Sequence, residues 1–117
     1  MELADAGSAL EYLNNASDEV LRERVRLYAV NVRTLEYSSL ILYETTGEEK
    51  YQLFSTAMAN IEDFFIGVGN KPEPGTTLRE NLDIIKAIGE HLKKRKITDL
   101  SEEDVVSILN LSTKLKS

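Results

Sequence analysis

The chain is expected to be all-α: a single-domain bundle of about five helices, with one long antiparallel helical hairpin and a C-terminal helical pair. Three observations predict this. Apolar residues recur at steps of three and four along most of the chain, which gathers them on one face of a 3.6-residue helix. Residues that cap helix N-termini stand in front of each such stretch. Helix-breaking residues concentrate in one segment, Gly67-Val-Gly-Asn-Lys-Pro-Glu-Pro-Gly75, where two prolines and three glycines stop helical structure.

The five stretches follow in order. Ser8 and Glu11 form an S-x-x-E capping box, predicting a short first helix to about Asn14. Ser17 opens the second, with Asp18 and Glu19 suited to the positive end of its dipole. It is expected to run unbroken to Tyr43, burying Leu21, Val25, Tyr28, Val32, Leu35, Ser39 and Leu42. The connection Glu44-Thr45-Thr46-Gly47 is short, so the third helix should return antiparallel. Thr46 and Glu49 form its expected box, and its stripe over 48–66 is Phe54, Ala57, Met58, Ile61, Phe64 and Phe65, with Val68 continuing it. Thr77 and Glu80 form the next box, before a fourth helix over 78–94 with Leu78, Leu82, Ile85, Ile88 and Leu92 inward. Ser101, followed by Glu102, Glu103 and Asp104, opens the fifth helix over 102–115, where Leu100 can staple onto Val105 and Ile108, Leu109 and Ser112 share its side. The loop at 67–76 thus divides an N-terminal hairpin from a C-terminal pair within one domain spanning residues 1–117.

The second helix is long for a chain of this size. About 27 residues at about 1.5 Å each reach about 40 Å, against a diameter of roughly 35 Å for a compact domain of this length. The helix must therefore span the domain, kink or project. Its second half is also apolar on more than one face, through Leu35, Tyr37, Leu40, Ile41, Leu42 and Tyr43. A helix apolar on most sides is either central or covered by something else. The first helix and the C-terminal pair would both pack there, or a second chain would. Tyr37, Leu40, Ile41 and Tyr43 are the candidate protein interface, since large exposed apolar patches mark partner sites.

Composition narrows the function classes. A hydrophobic share of 42% and a charged share of 29% are those of a globular chain. The net charge of −6 disfavours a free, nonspecific nucleic-acid binder, whose affinity comes from neutralising phosphates. The chain has no cysteine, which rules out disulfides, thiolate metal sites and thiol nucleophiles. Residues 1–8 carry Glu2 and Asp5 but no basic residue or apolar run, so no secretory signal is expected. No window approaches the roughly 18 apolar residues of a membrane span, and the cytoplasm is the expected location, with no membrane partner.

Candidate chemistry is sparse. His91 is the single histidine. It cannot supply the paired Glu-x-x-His motifs of a di-iron bundle, and no arginine precedes it with four to six residues between, as the Arg-x(4–6)-His motif of the helical HEPN nucleases requires; the nearest upstream is Arg79. It reads as a partly exposed residue near a helix end. Glu62-Asp63 and Glu102-Glu103-Asp104 are adjacent carboxylates that diverge around a helix rather than converge. No metal or other cofactor is expected. The Gly67-Val-Gly69-Asn-Lys71 segment lacks the Gly-Lys-Ser/Thr of a phosphate loop and reads as a helix end capped by glycine. Gly89, inside the fourth helix, points to a close approach to its backbone, by a packed helix in the first place and by a ligand as the alternative.

Two basic features remain. Arg22, Arg26 and Arg33 fall nearly on one line of the second helix, and Lys93, Lys94, Arg95 and Lys96 crowd the end of the fourth. Each could touch phosphates; each is also explained locally, by Glu19, Glu23 and Glu36 three residues from the arginines and by the helix dipole at the lysines. The expected function is a non-enzymatic interaction or scaffold subunit, self-associating or part of a larger complex. The alternative is a small helical subunit of a nucleoprotein assembly, of the kind found as non-catalytic small subunits in RNA-guided CRISPR-type effector complexes, with those cations on the nucleic acid. The third reading, an enzyme or small-molecule binder in a helical pocket, would need a polar cluster inside the core and a cavity near Tyr28, Tyr51 or Gly89.

Overall fold

The computed structural model describes residues 2–13, 15–93 and 95–117. Five α-helices and no strand occur among them: α1 (Ala6–Tyr12), α2 (Asp18–Thr46), α3 (Glu49–Gly69), α4 (Pro74–Leu92) and α5 (Glu102–Ser112). A 3₁₀ turn, Glu2–Asp5, leads into α1, and a second, Ile97–Asp99, precedes α5.

The α2–α3 hairpin forms the frame. At about 1.5 Å per residue, the 29 residues of α2 reach about 43 Å, the length of the long axis of the 43 × 21 × 21 Å body. Of the three outcomes open to so long a helix, spanning is the one realised. Ser17 caps it as expected, its Oγ accepting from the Val20 amide at 3.3 Å. Gly47 ends it in the left-handed conformation (φ 71°), its N–H bonded to the Tyr43 carbonyl at 2.7 Å. A left-handed residue is the place for glycine because a side chain there would clash with the backbone.

The hairpin partners confirm an antiparallel register. Ser39 Oγ donates to the Tyr51 carbonyl at 2.5 Å inside the interface. Lower down, Arg33 pairs with Glu62, and Tyr28 stacks obliquely on Phe65 at 5.6 Å between ring centroids. At the base, Arg22 Nη2 donates to the carbonyls of Lys71 and Pro72, each at 3.0 Å.

The remaining elements pack on one side of this frame. Helix α5 runs alongside α3 in the same direction: Lys50 Nζ donates to the Leu100 carbonyl at 3.0 Å and Asn60 Nδ2 to Ser112 Oγ at 3.1 Å. Helix α4 runs opposite to α5, joined to its start by His91 and Asp104 and to the segment after it by Asn81 and Lys116. Helix α1 and its 3₁₀ turn lie antiparallel on α4, with Gly7 against Lys86 and Ala4 against Gly89. A Cβ at Gly89 would collide with the Ala4 carbonyl, so the close approach expected there is made by the N-terminal turn rather than by a helix.

The core places α3 at the centre. Tyr51, Phe54, Ala57, Met58, Ile61, Phe64, Phe65 and Val68 are all buried, because α2 covers one side of the helix and α5 and α4 cover others. The expected stripes of α2, α4 and α5 are also inward, with Leu35, Leu42, Leu82 and Leu109 only half-buried.

Several expected boundaries shift. Ser8 and Thr77 do not cap: α1 begins at Ala6, behind the 3₁₀ turn, and α4 at Pro74, where the missing N–H of proline costs nothing in the first turn. Thr46 belongs to the end of α2, where its Oγ1 donates to the Leu42 carbonyl and accepts from the Glu48 amide. The loop expected over 67–76 contracts to 70–73, because Gly67 and Gly69 both lie in the last turn of α3, neither with a positive φ. Ser101 does cap α5, in a reciprocal box with Asp104.

Candidate functional site

The outer face of α2 carries a row of exposed apolar side chains. Successive helical residues turn by about 100°, which sets the buried residues Leu21, Val25, Tyr28 and Val32 on one side of the helix. Leu27, Val30, Tyr37 and Ile41 fall on the opposite side, and they are 51%, 61%, 57% and 63% exposed. Their spacing of three, seven and four, with exposed Thr34 filling the gap, is that of a helix seam. Leu40, 37% exposed, stands at the edge of this stripe. Of the four expected interface residues, Tyr37, Leu40 and Ile41 thus face outward. Tyr43 differs: it lies in line with Val25, toward α3, and is half-buried. Leu27 and Val30 belong to the same surface although the sequence reading did not include them. Their signal was present as a second apolar series, 27-30-37-41, with Thr34 in its gap, opposite the first.

Among the described residues no other element covers this face. Helix α1 packs on α4 and helix α5 on α3, so neither of the two coverings expected for the second half of α2 reaches it.

The basic residues are dispersed. Arg22 is held by the carbonyls of Lys71 and Pro72, and Arg33 by Glu62, whose carboxylate raises the Arg33 pKa through a hydrogen bond and its charge. Neither pairs with the glutamates of its own helix. Arg26 is exposed and forms no ion pair among the described residues. Lys93 stands 4.0 Å from Glu90, Arg95 Nη1 donates to Asp104 at 2.6 Å, and Lys96 is exposed. Lys94 lies outside the described residues. Arg22 contacts the segment before α4, whereas Lys93 follows its end, about 27 Å away along that helix by its rise. The structure does not bring the two basic features together.

The sequence reading also missed the surroundings of His91. Its Nδ1 lies 3.0 Å from Asp104 Oδ1, while Asp104 Oδ2 accepts from Arg95 and from Ser101 Oγ at 3.0 Å. The hydrogen bond with His91, joined by those from Ser101 and the charge of Arg95, holds the Asp104 carboxyl down at about 2. A histidine–carboxylate pair invites comparison with a hydrolytic triad. Here the serine is bonded to the carboxylate and not to the imidazole, so no hydroxyl is placed for His91 to activate. The group is a latch between the end of α4 and the start of α5. Across the α2–α3 seam, burial and the nearby Glu62 and Asp63 push the Glu36 carboxyl up.

One apolar cleft of about 200 Å³ opens between α1, the start of α2 and α4, lined by Leu10, Leu13, Leu21, Leu78 and Leu82, with Arg79 at its rim. Among the described residues every buried side-chain nitrogen and oxygen has a hydrogen-bond partner, so no polar group there waits for a ligand. Tyr51 and Gly89 face protein, the one through Ser39 and the other through Ala4. No group of three or more His, Asp or Glu able to hold a metal occurs among the described residues, nor any helix long and apolar enough to cross a membrane. No protein-family model, curated protein or solved structure proved significantly similar to this chain.

Proposed function

We propose that the protein is a non-enzymatic helical interaction subunit, acting in the cytoplasm, that docks through the outer face of α2. One observation carries this reading: four large apolar side chains, Leu27, Val30, Tyr37 and Ile41, are aligned on the side of the helix that the core does not use. Isolated exposed apolar residues are ordinary; a continuous row of them on a rigid helix is the form of a helix-recognition surface. A photo-crosslinking residue at Ile41, expressed in the native host, tests it. Adducts at Ile41, with none at exposed Thr98, are expected; equal labelling at both positions, or none at Ile41, would refute the reading.

A second reading, contact with nucleic-acid phosphates, draws support from exposed Arg26, Lys93 and Lys96. It predicts a salt-dependent shift of single-stranded nucleic acid by the protein within its complex, and the absence of any shift at low salt would retire it.

A further inference from the structure

We propose that the occupant of the α2 outer face is a second copy of this chain, laid antiparallel across it about a two-fold axis near Thr34. This rests on the docking role proposed above and assigns the partner.

The pattern along the stripe supports self-pairing. Leu27 and Ile41 each stand seven residues from Thr34, and Val30 and Tyr37 stand four and three away. Turning the helix end for end about Thr34 therefore sets Leu27 level with Ile41 of the second copy, and Val30 within one residue of Tyr37. A surface that matches itself on reversal is what an isologous two-fold contact requires. The small side chain at Thr34 leaves room for two helices to approach at the axis.

The charges favour the same direction. Arg24 and Arg26 flank the lower end of the stripe, are exposed, and form no ion pair among the described residues. Glu44 flanks the upper end, with Glu48 and Glu49 following at the hairpin tip, all exposed. Arg26 and Glu44 are 18 residues apart, five whole turns, and so lie on the same side of the stripe. Antiparallel pairing about Thr34 brings Arg26 within about 3 Å of the level of Glu44 of the second copy at both ends of the contact, and sets Glu23 level with uncharged Thr45. Parallel pairing would instead bring the two Arg26 ends together and the two Glu44 ends together, which is unfavourable.

Area sets the strength. Leu27, Val30, Tyr37, Leu40 and Ile41 retain exposures of 37% to 63%. At roughly 80 Å² each they offer about 400 Å² per copy, and about 800 Å² for the pair. The flanking Arg24, Arg26 and Glu44 raise the total toward about 1,200 Å², the lower edge of specific interfaces. The dimer is accordingly weak, with a dissociation constant of micromolar order.

Sedimentation velocity and light scattering from about 1 μM to about 200 μM test the state, and cysteine cross-linking tests the geometry, because the chain has no native cysteine. The wild type should pass from monomer to dimer over that range. Val30→Glu with Ile41→Glu should stay monomeric with an unchanged helical spectrum. Independently, Arg26→Glu should weaken the dimer about tenfold, and Arg26→Glu with Glu44→Arg should restore it. Thr34→Cys should cross-link to itself. Thr45→Cys should not, since its two copies would lie about 33 Å apart, but it should cross-link to Glu23→Cys when the two variants are mixed. Self-cross-linking of Thr45→Cys, or a dimer indifferent to the Val30/Ile41 change, would overturn the proposal. A strict monomer would also overturn it; Ile41 adducts to a different protein would then leave the docking role standing, and no adducts would remove both.

Discussion

Replacing Asn81 by alanine isolates what holds the C-terminal segment on the bundle. Asn81 is 4% exposed. Its Nδ2 donates to the Lys116 carbonyl at 2.9 Å and to the Thr77 carbonyl at 2.8 Å, and its Oδ1 accepts from the Lys116 amide at 3.0 Å. The side chain thus pairs with both backbone groups of Lys116. Alanine removes all three bonds, but Thr77 belongs to α4 and its carbonyl is already in reach of the helical amide four residues on. The main loss is the two bonds to Lys116, about 1 kcal/mol each. The space left by the amide, and looser packing of half-buried Leu115, add up to about 1 kcal/mol. Asn81→Ala should therefore destabilise by about 2–3 kcal/mol, which for a chain of this size lowers Tm by roughly 10 °C. Urea unfolding followed by circular dichroism measures it. A chain truncated after Thr113 supplies the control: without Lys116 the same substitution should cost under about 1 kcal/mol. A loss below about 0.5 kcal/mol in the full chain, or an equal loss in both backgrounds, would refute the clamp.

Two further outcomes follow from the packing. Asp104 has its carboxyl pKa depressed from 3.8 to about 2, so its contribution is present above about 3.8 and is lost as pH falls through about 2. The shift amounts to roughly 2 kcal/mol, of which about 1 survives solvent screening. Asp104→Asn should flatten the acid limb of the stability–pH profile by that amount, and an unchanged limb would count against the latch. Gly89→Ala should gain up to about 1 kcal/mol of helix propensity yet lower stability overall by about 1–2 kcal/mol, because its Cβ collides with the Ala4 carbonyl. Faster amide exchange over 3–12 would report the undocked N-terminus, and a stabilised variant would show the approach to be looser than described.

What could be read from the sequence was the local part of the fold. Ser17 and Ser101 cap helices because their hydroxyls need only reach an amide three residues on. The Ser/Thr-x-x-Glu pattern misled at Ser8, Thr46 and Thr77, since nothing before those residues stops the helix: Pro74 starts α4 early, and the 3₁₀ turn feeds α1 from behind. Contacts between distant residues were not legible. Arg22 looked able to pair with a glutamate of its own helix, yet its partners are carbonyls 49 and 50 residues away. His91 looked isolated, yet Asp104 reaches it from the next helix. Such pairings depend on how whole helices dock, which no single stripe encodes.

Helices α2 and α3 show why the breadth of an apolar face carries information. Helix α3 is apolar around most of its circumference, and the fold supplies a neighbour for each part: α2 on one side, α5 and α4 on others. Helix α2 is also apolar on two faces, but the fold supplies a neighbour for only one. The elements able to cover the second are engaged elsewhere, α1 on α4 and α5 on α3. About 400 Å² of aligned apolar surface left in water corresponds to about 10 kcal/mol of unrealised burial, comparable to the whole stability of a domain. Immobilising a partner offsets most of that gain, which is why the expected association is weak and responds to concentration. Folding accounts for the inner stripe of α2; the outer stripe is accounted for only when something docks on it.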